Sequence, residues 1–234
     1  MSLRHEVVFL FDVDNTLLDN DRVTADLRRH LLKAFGPECA EGYWRIFEEL
    51  RAELGYADYL GALQRFRVQR PREPNLLAVS TWLVNYPFAN RLYPGSLDVL
   101  EHCWRWGPVV ILSDGDVVFQ PRKVERSGLW DAVEGNVLIY IHKEEMLDDV
   151  EARYPARHYV MVDDKLRILD AMRTVWGPRL TTVFPRQGHY ALDPEIHSRY
   201  APADLTLERI GELADYHLSQ IIGTEAAARV SGGS

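Results

Sequence analysis

The sequence is poor in cysteine, in long apolar runs and in basic charge, and each shortage excludes a class of protein. Its two cysteines, Cys39 and Cys103, form neither a CxxC motif nor a disulfide framework, which favours a reducing compartment. No apolar run approaches the roughly 18 residues that span a bilayer, and the first residues show no signal-peptide pattern. With 27 Lys and Arg against 35 Asp and Glu, the net charge of −8 gives no general attraction for nucleic acids or anionic membranes. We therefore expect a cytoplasmic protein that binds neither.

Apolar residues are plentiful, at 47% of the 234 positions, which is enough for a packed core. Short apolar runs rich in β-branched residues are typical of parallel strands buried on both faces, and they recur at Val7–Phe11, Val109–Leu112, Val137–Ile141, Tyr159–Val162 and Leu180–Phe184. Amphipathic segments of helical length separate the later runs, at Gln120–Ser127, Lys143–Arg153 and Leu166–Val175. This alternation predicts an α/β fold, Rossmann-like, with a mostly parallel sheet flanked by helices.

A long segment without a convincing strand separates the first two apolar runs, one ending at Phe11 and the other beginning at Val109. It is too long for a single crossover helix, and its apolar residues recur at helical spacing, as in Leu27, Leu31, Leu32, Trp44, Phe47, Leu50 and Leu54. We therefore predict an α-helical insert after the first strand. Gly55 interrupts the pattern, which indicates a turn between two helices of that insert.

These patterns predict two domains and a tail. The α/β core comprises residues 1–20 and 88–224, and the helical insert, residues 21–87, forms a cap domain. The small, polar residues 225–234 are expected to form a frayed tail. Where the chain returns to the core, Ser96 is a candidate N-cap for a helix over Leu97–Trp106.

Polar residues follow three of the predicted strands, at the sheet edge where α/β proteins bind ligands. Strand by strand, they are Asp12 and Asp14, then Ser113 and Asp114, then Asp163 and Asp164. Any single acid here could simply cap a helix or a turn. Several carboxylates at one edge repel one another, however, and oxygen-only ligands are the set that Mg²⁺ prefers. The nearest counter-charge is Lys143, after the third strand, and Mg²⁺ beside a lysine makes a site for an anion, most simply a phosphate.

The same residues carry a family resemblance. The segment Asp12-Val13-Asp14-Asn15-Thr16 resembles the DxDxT motif of phosphatases in the haloacid dehalogenase superfamily. Ser113, Lys143 and the Asp163-Asp164 pair are similar to its second, third and fourth motifs, in the same order along essentially the whole chain. The resemblance extends to a helical cap inserted after the first core strand. The third motif departs from the usual Lys-Pro-Asp-Pro, so Lys123 in the preceding helix competes with Lys143; we assign Lys143, because Lys123 is expected at a solvated position.

The resemblance implies a role for each residue. Asp12 would be the nucleophile that forms an aspartyl-phosphate, and Asp14 the general acid and base. Phosphate and substrate would be bound by Ser113, Asp114 and Thr16, with Lys143 offsetting negative charge. The ligands of Mg²⁺ would be Asp12, the backbone carbonyl of Asp14, Asp163 and Asp164.

The expected function is that of a Mg²⁺-dependent phosphomonoesterase acting on a small phosphorylated metabolite. A phosphomutase would use the same four motifs, and a catalytically idle binding protein would have lost one of them. A hydrolytic dehalogenase of the same superfamily is disfavoured, because dehalogenases that resemble this chain need no Mg²⁺ and lack an acid at the position of Asp14. We expect the cap to select the leaving group, through the turn after Gly55, where Tyr56, Asp58 and Tyr59 would contact it. The alternative is that both tyrosines pack in the interior of the cap.

Overall fold

The computed structural model describes residues 4–223, so the predicted tail at residues 225–234 lies outside the described residues. Its centre is a six-stranded parallel sheet in the order β3-β2-β1-β4-β5-β6, which confirms the predicted α/β, Rossmann-like class. The strands are β1 (His5–Phe11), β2 (Val109–Asp114), β3 (Val137–Tyr140), β4 (Ala156–Val162), β5 (Leu180–Pro185) and β6 (Leu205–Leu207). All five apolar runs of the sequence are therefore strands. The sixth, β6, was not predicted, because three residues leave no readable pattern.

Two hydrophobic cores, one on each face of the sheet, explain why the strands are continuously apolar. In β1, Val7, Phe9 and Phe11 belong to one core, and Val8 and Leu10 belong to the other. Since successive side chains of a strand point to opposite faces, a strand covered on both sides has no position for a polar residue. Polar residues begin only where β1 ends, which places the chemistry at the carboxyl edge of the sheet.

Helices cover both faces, and five α-helices lie between β1 and β2. The α-helices are α1 (Asn20–Phe35), α2 (Pro37–Leu54), α3 (Tyr59–Gln69), α4 (Leu76–Val84), α5 (Ser96–Trp104), α6 (Phe119–Ser127), α7 (Leu129–Ala132), α8 (Leu147–Arg153), α9 (Leu166–Trp176), α10 (Gly188–Ala191), α11 (Pro194–Arg199) and α12 (Leu218–Ile222). Short 3₁₀ segments occur at Phe88–Arg91, Lys143–Glu145, Gly177–Arg179 and Ile210–Asp215. Among the described residues, no helix is both long and apolar enough to cross a membrane.

The first helices behave as the sequence predicts at Gly55. Helix α2 ends at Leu54, and Gly55 adopts a left-handed conformation with φ of 80°, which a residue without Cβ accepts readily. Aromatic side chains hold α2 to its neighbours, and the ring of Phe47 stacks on Tyr59 at a centroid distance of 4.8 Å. The turn after Gly55 therefore has a fixed place between α2 and α3.

Two local predictions need correction. The helix expected over Lys143–Arg153 is divided into a 3₁₀ turn and α8, and the Met146 N–H donates to the Lys143 carbonyl oxygen at 3.1 Å, an i→i+3 bond that closes the turn. Ser96 is the first residue of α5 and not its N-cap, which is Gly95. The Ser96 hydroxyl is buried and donates to the Leu17 carbonyl oxygen at 2.8 Å, a contact that the sequence does not reveal.

Candidate active site

The backbone hydrogen bonds between neighbouring central strands continue for one residue past the ends of β1 and β4. They fix the positions of Asp12 and Asp163. The Asp12 N–H donates to the Val162 carbonyl oxygen at 3.0 Å, and the Asp163 N–H donates to that of Val183 at 3.1 Å. Because β1 and β4 are neighbours, this places Asp12 next to Asp163 and Asp164. Carboxylate oxygens of these three residues lie within 4.8 Å of one another, and all three side chains are buried.

Lys143 lies within this cluster. Its ammonium is 2.6 Å from Asp12 Oδ1 and 2.6 Å from Asp163 Oδ2, the latter an ion pair whose angles do not meet hydrogen-bond geometry. Burial lowers the pKa of Lys143, but the attraction of Asp12 and Asp163 outweighs it and raises that pKa above its usual range. The structure thus brings the predicted lysine to the predicted nucleophile.

The three carboxylates of this cluster carry more negative charge than Lys143 alone can balance. Asp12 Oδ2 and both oxygens of Asp164 are buried without a hydrogen-bond partner among the described residues. Burial raises the pKa of Asp163 to about 6, against the opposing attraction of Lys143, and it raises the pKa of Asp164 strongly. Buried carboxylates without partners destabilise a fold unless a cation balances them. The oxygen-only donor set and its unpartnered atoms therefore fit a divalent cation such as Mg²⁺.

Asp14 lies apart from that cluster and has its own cation. Lys123 Nζ donates to both carboxylate oxygens of Asp14, at 2.6 and 2.8 Å, and to Asn20 Oδ1 at 3.1 Å. Lys123 is 1% exposed, so the expectation that it is solvated was wrong. Helix α6 turns this position inward, onto the strand ends. The Asp14 side chain therefore contacts a second lysine, and its predicted role as a metal ligand rests on its backbone carbonyl alone.

The remaining predicted residues surround the cluster. The Ser113 hydroxyl lies 3.4 Å from Asp12 Oδ1 and accepts a hydrogen bond from Gln120 Nε2 at 3.0 Å. Asp114 Oδ1 accepts from the Lys143 backbone N–H at 2.8 Å, and burial raises the pKa of Asp114. In this structure Asp114 thus holds the turn that carries the lysine.

Thr16 has a comparable structural contact. Its hydroxyl oxygen is buried and accepts from the backbone N–H of Asp164 at 3.0 Å. The contact ties the turn after β1 to the turn after β4. Thr16 therefore fixes the position of the acidic pair, and phosphate binding by its side chain stays a prediction.

Sequence reasoning missed Gln120 and misread Lys123, although both carry a readable signal. They share a face of α6 with Val124 and Ser127, and all four side chains are buried. An amphipathic helix that packs beside β2 must turn its apolar stripe inward, and these two polar residues lie within that stripe. A buried polar side chain at such a place needs a partner, which here is Asp14.

A cavity of about 370 Å³ lies between the first helices and the sheet edge, with Asp14 and Asp114 in its wall. The turn after α2 lines the opposite side through Gly55 and Tyr56. A Cβ atom at Gly55 would lie 2.7 Å from Cε1 of His142, the residue before Lys143, so only glycine allows this close approach.

Asp58 does not have the role expected of it. Its Oδ1 accepts from the Gly61 N–H at 2.7 Å, so the side chain caps α3 instead of facing the cavity. Tyr59 is buried, with its hydroxyl 2.8 Å from that of Thr24. Tyr56, half-buried in the cavity wall, remains the residue of this turn that is open to a ligand.

Comparison with known proteins identifies the family. Residues 7–175 match the family of haloacid dehalogenase-like hydrolases. A haloacid dehalogenase-like hydrolase from Burkholderia xenovorans is 67% identical in sequence; the match covers 91% of this chain and 99% of that chain, with a TM-score of 0.88. The chain belongs to this hydrolase family. No curated protein matches the sequence.

More distant haloacid dehalogenase-like hydrolases share the fold. A hydrolase from Bacillus subtilis, bound to magnesium, is 16% identical with a TM-score of 0.59, and the match covers 95% of this chain and 100% of that chain. An L-2-haloacid dehalogenase from Xanthobacter autotrophicus, with chloropropionic acid covalently bound, is 17% identical with a TM-score of 0.58, covering 90% of this chain and 97% of that chain. At these identities the likeness concerns the fold alone, and the reaction has to be argued from the site.

Proposed function

We propose that this hydrolase is a Mg²⁺-dependent phosphomonoesterase of the cytoplasm that acts on a small phosphorylated metabolite. The observation that carries the proposal is the buried Asp12, Asp163 and Asp164 cluster, whose carboxylate oxygens outnumber the contacts that Lys143 makes. A dehalogenase reaction, which attacks carbon without a metal, gives no reason to bury three carboxylates together. The second acid at Asp14, on the cavity wall, adds the proton donor that an alkoxide leaving group requires.

In the proposed reaction, an Asp12 carboxylate oxygen attacks phosphorus and the bond from phosphorus to the leaving oxygen breaks. Asp14, in its carboxylic acid form, gives its proton to that leaving oxygen. Water then attacks phosphorus in the aspartyl-phosphate, Asp14 takes the proton from water, and inorganic phosphate leaves as the Asp12 carboxylate is restored. Lys143 and Ser113, both at Asp12 Oδ1, hold the nucleophile in place.

Asp12, Asp163, Asp164 and the Asp14 backbone carbonyl would hold the cation. When bound, Mg²⁺ offsets the negative charge of the phosphoryl group beside these carboxylates. Lys143 contributes one further positive charge at the same place, and its ion pairs with Asp12 and Asp163 keep it there. The free thiols of Cys39 and Cys103 accord with the proposed location.

The test is hydrolysis of 4-nitrophenyl phosphate by enzyme treated with a chelator and then supplied with Mg²⁺. We expect activity only after Mg²⁺ is added, and none in Asp12→Asn, since an amide is not a competent nucleophile. Asp148→Asn is the matched control, because Asp148 is exposed, does not belong to the cluster and does not line the cavity. Full turnover in the chelated enzyme, or chloride release from 2-chloropropionate without metal in place of phosphatase activity, would contradict the proposal.

A further inference from the structure

The cavity beside Asp14 also presents cationic side chains that the reaction does not use: Arg28, Arg51 and Lys165. Among the described residues, neither Arg28 nor Lys165 forms an ion pair. Arg51 reaches only Glu48, at 3.5 Å, within an exposed pair along α2. Burial lowers the pKa of Lys165, but the attraction of Asp164, Asp12 and Asp163 outweighs it and raises that pKa. Three cationic side chains thus face one cavity.

Aromatic rings hold these cations in place without neutralising them. The guanidinium carbon of Arg28 lies 4.4 Å from the centroid of Trp44. Arg51, from α2, and Lys165, from the turn before α9, lie 5.6 and 5.3 Å from the centroid of Tyr190. A cation over an aromatic face keeps its charge available to a ligand. Tyr190 therefore brings one cation from the helical insert and one from the sheet edge to a common place.

The acids of the same cavity, by contrast, already have partners in the protein. Asp14 is paired with Lys123, and Asp21 lies 2.6 Å from Nδ1 of His189. Asp114 accepts the backbone N–H of Lys143. Glu48, the fourth lining acid, lies 3.5 Å from Arg51. Each acid of the cavity wall thus already contacts a group of the protein, whereas Arg28 forms no ion pair among the described residues.

Resting on the phosphatase function proposed above, we propose that the leaving group of the substrate carries a second anionic group, which binds between Arg51 and Lys165 beside Tyr190. Lys165 directly follows Asp164, so this subsite adjoins the place of the phosphoryl group. The substrate class is then a short phosphomonoester with a carboxylate or with a second phosphate. The planar guanidinium of Arg51 can bind either group through two parallel hydrogen bonds.

Three substrates that share the chain P–O–C–C–O test this inference: 2-hydroxyethyl phosphate, phosphoglycolate and ethylene glycol bisphosphate. They differ only in whether the far end is a neutral alcohol, a carboxylate or a phosphate. Because a charge-assisted hydrogen bond is stronger than a neutral one, kcat/KM should be about 10-fold or more higher for at least one anionic substrate. The larger of the two ratios identifies the anion. Equal kcat/KM for all three would overturn the inference while leaving the phosphatase function intact.

A pair of variants tests whether Arg51 is responsible for the preference for anionic substrates. Arg51→Gln should lower the preference for the anionic substrate about 10-fold, mainly through KM, because the bound anion loses its guanidinium partner. Arg45→Gln is the matched control on the same helix, since Arg45 is exposed and does not line the cavity. An unchanged preference in Arg51→Gln would contradict the assignment of this residue.

Calorimetry on Asp12→Asn separates the two proposals. This variant does not turn the substrates over, so its affinity for phosphoglycolate and for 2-hydroxyethyl phosphate can be compared directly. Tighter binding of an anionic ligand supports the subsite even if hydrolysis of every phosphomonoester fails, a result that would overturn only the phosphatase function. Equal affinities would remove the subsite whatever the reaction.

Discussion

Lys123 Nζ lies 2.6 and 2.8 Å from the two carboxylate oxygens of Asp14, and Gln120 on the same helix face donates to Ser113. Helix α6 therefore reaches both the proposed acid and the proposed phosphate-binding serine. Lys123 contacts Asp14 and Asn20 and does not line the cavity, so it can influence the reaction without touching the substrate. We infer that Lys123 is a positioning residue, whereas Lys143 contacts the nucleophile.

Replacing Lys123 with Met should lower kcat by about 10- to 100-fold and change KM little, a smaller loss than the 10²–10⁴-fold that a general acid itself contributes. The reason is that Asp14 loses the contact that fixes its carboxylate. Steady-state kinetics on 4-nitrophenyl phosphate measures both constants. If Lys123 acts through Asp14, the double variant with Asp14→Asn should be no slower than Asp14→Asn alone.

A further rate loss in that double variant would show that Lys123 acts elsewhere. Lys143→Ala should cost at least about 10²-fold, since it removes a charge from the nucleophile. A thermal melt of each variant checks folding, because breaking a buried ion pair costs about 3–5 kcal/mol. Equal losses in Lys123→Met and Lys143→Ala would contradict the separate roles given to them.

Asp164→Asn should stabilise the metal-free protein. Both Asp164 oxygens are buried without partners, and an amide at this position can donate to the neighbouring carboxylates. We expect Tm in a chelator to rise by about 2–4 °C, the equivalent of about 1 kcal/mol for a chain of this size. The rise in Tm that Mg²⁺ gives the native protein should be lost. Asp148→Asn should behave as the native protein does, and a fall in the metal-free Tm of Asp164→Asn would refute the charge argument.

Asp26 joins α1 to the segment that returns from the helical insert. Its Oδ2 lies 2.6 Å from Arg91 and accepts from the Tyr86 hydroxyl. Burial acts to raise the pKa of Asp26, but the hydrogen bonds from Tyr86 and Arg91 outweigh it and lower that pKa below 3.8. Since the folded state favours the ionised form, this stabilisation is present above the unfolded value of 3.8 and is lost as pH falls through the folded value.

Asp26→Asn should therefore reduce the free energy of unfolding by about 1–3 kcal/mol at neutral pH. The difference from the native protein should shrink as the pH is lowered below about 3.9, where unfolded Asp is protonated. Urea unfolding at several pH values measures it, with exposed Asp131→Asn as the control. A difference that is independent of pH down to pH 3 would show that the charge of Asp26 is not the cause.

The turn after α2 contains Asp58, which caps α3, and Tyr56, which lines the cavity. Asp58→Ala should lower stability by about 1 kcal/mol through loss of the α3 cap, with the ranking of substrates preserved. Tyr56→Ala should change that ranking, because Tyr56 lines the cavity. A panel of phosphomonoesters and a thermal melt distinguish the two variants. A changed ranking in Asp58→Ala would return this residue to the binding surface.

The structure could be predicted best where burial restricts which residue types a position accepts. Apolar runs such as Val7–Phe11 could be read as strands, because a strand covered on both faces excludes polar residues. Asp12 and Asp163 could be placed together, because the ends of parallel strands share an edge. The break at Gly55 could be read from the interruption of a helical pattern.

Side-chain contacts between segments that are distant in the sequence could not be predicted from it. The burial of Lys123 depends on how α6 packs beside the sheet, and the Arg51 and Lys165 contacts with Tyr190 join three separate segments. No local spacing encodes such contacts. Asp58 is instructive in a different way, because an acid in a turn between helices has a local use as a cap that competes with any role in binding.

The central position of β1 in the sheet has a consequence for the protein during its synthesis. Phe9 pairs with Val109 on one side and with Val160 on the other, so β1 pairs only with strands that are synthesised at least 100 residues later. At about 5–20 residues per second, synthesis leaves this apolar strand unpaired for about 5–20 s. Asp12, the proposed nucleophile, thus directly follows an apolar strand that can associate with other chains during this interval. The yield of active enzyme on refolding should accordingly fall as the protein concentration rises.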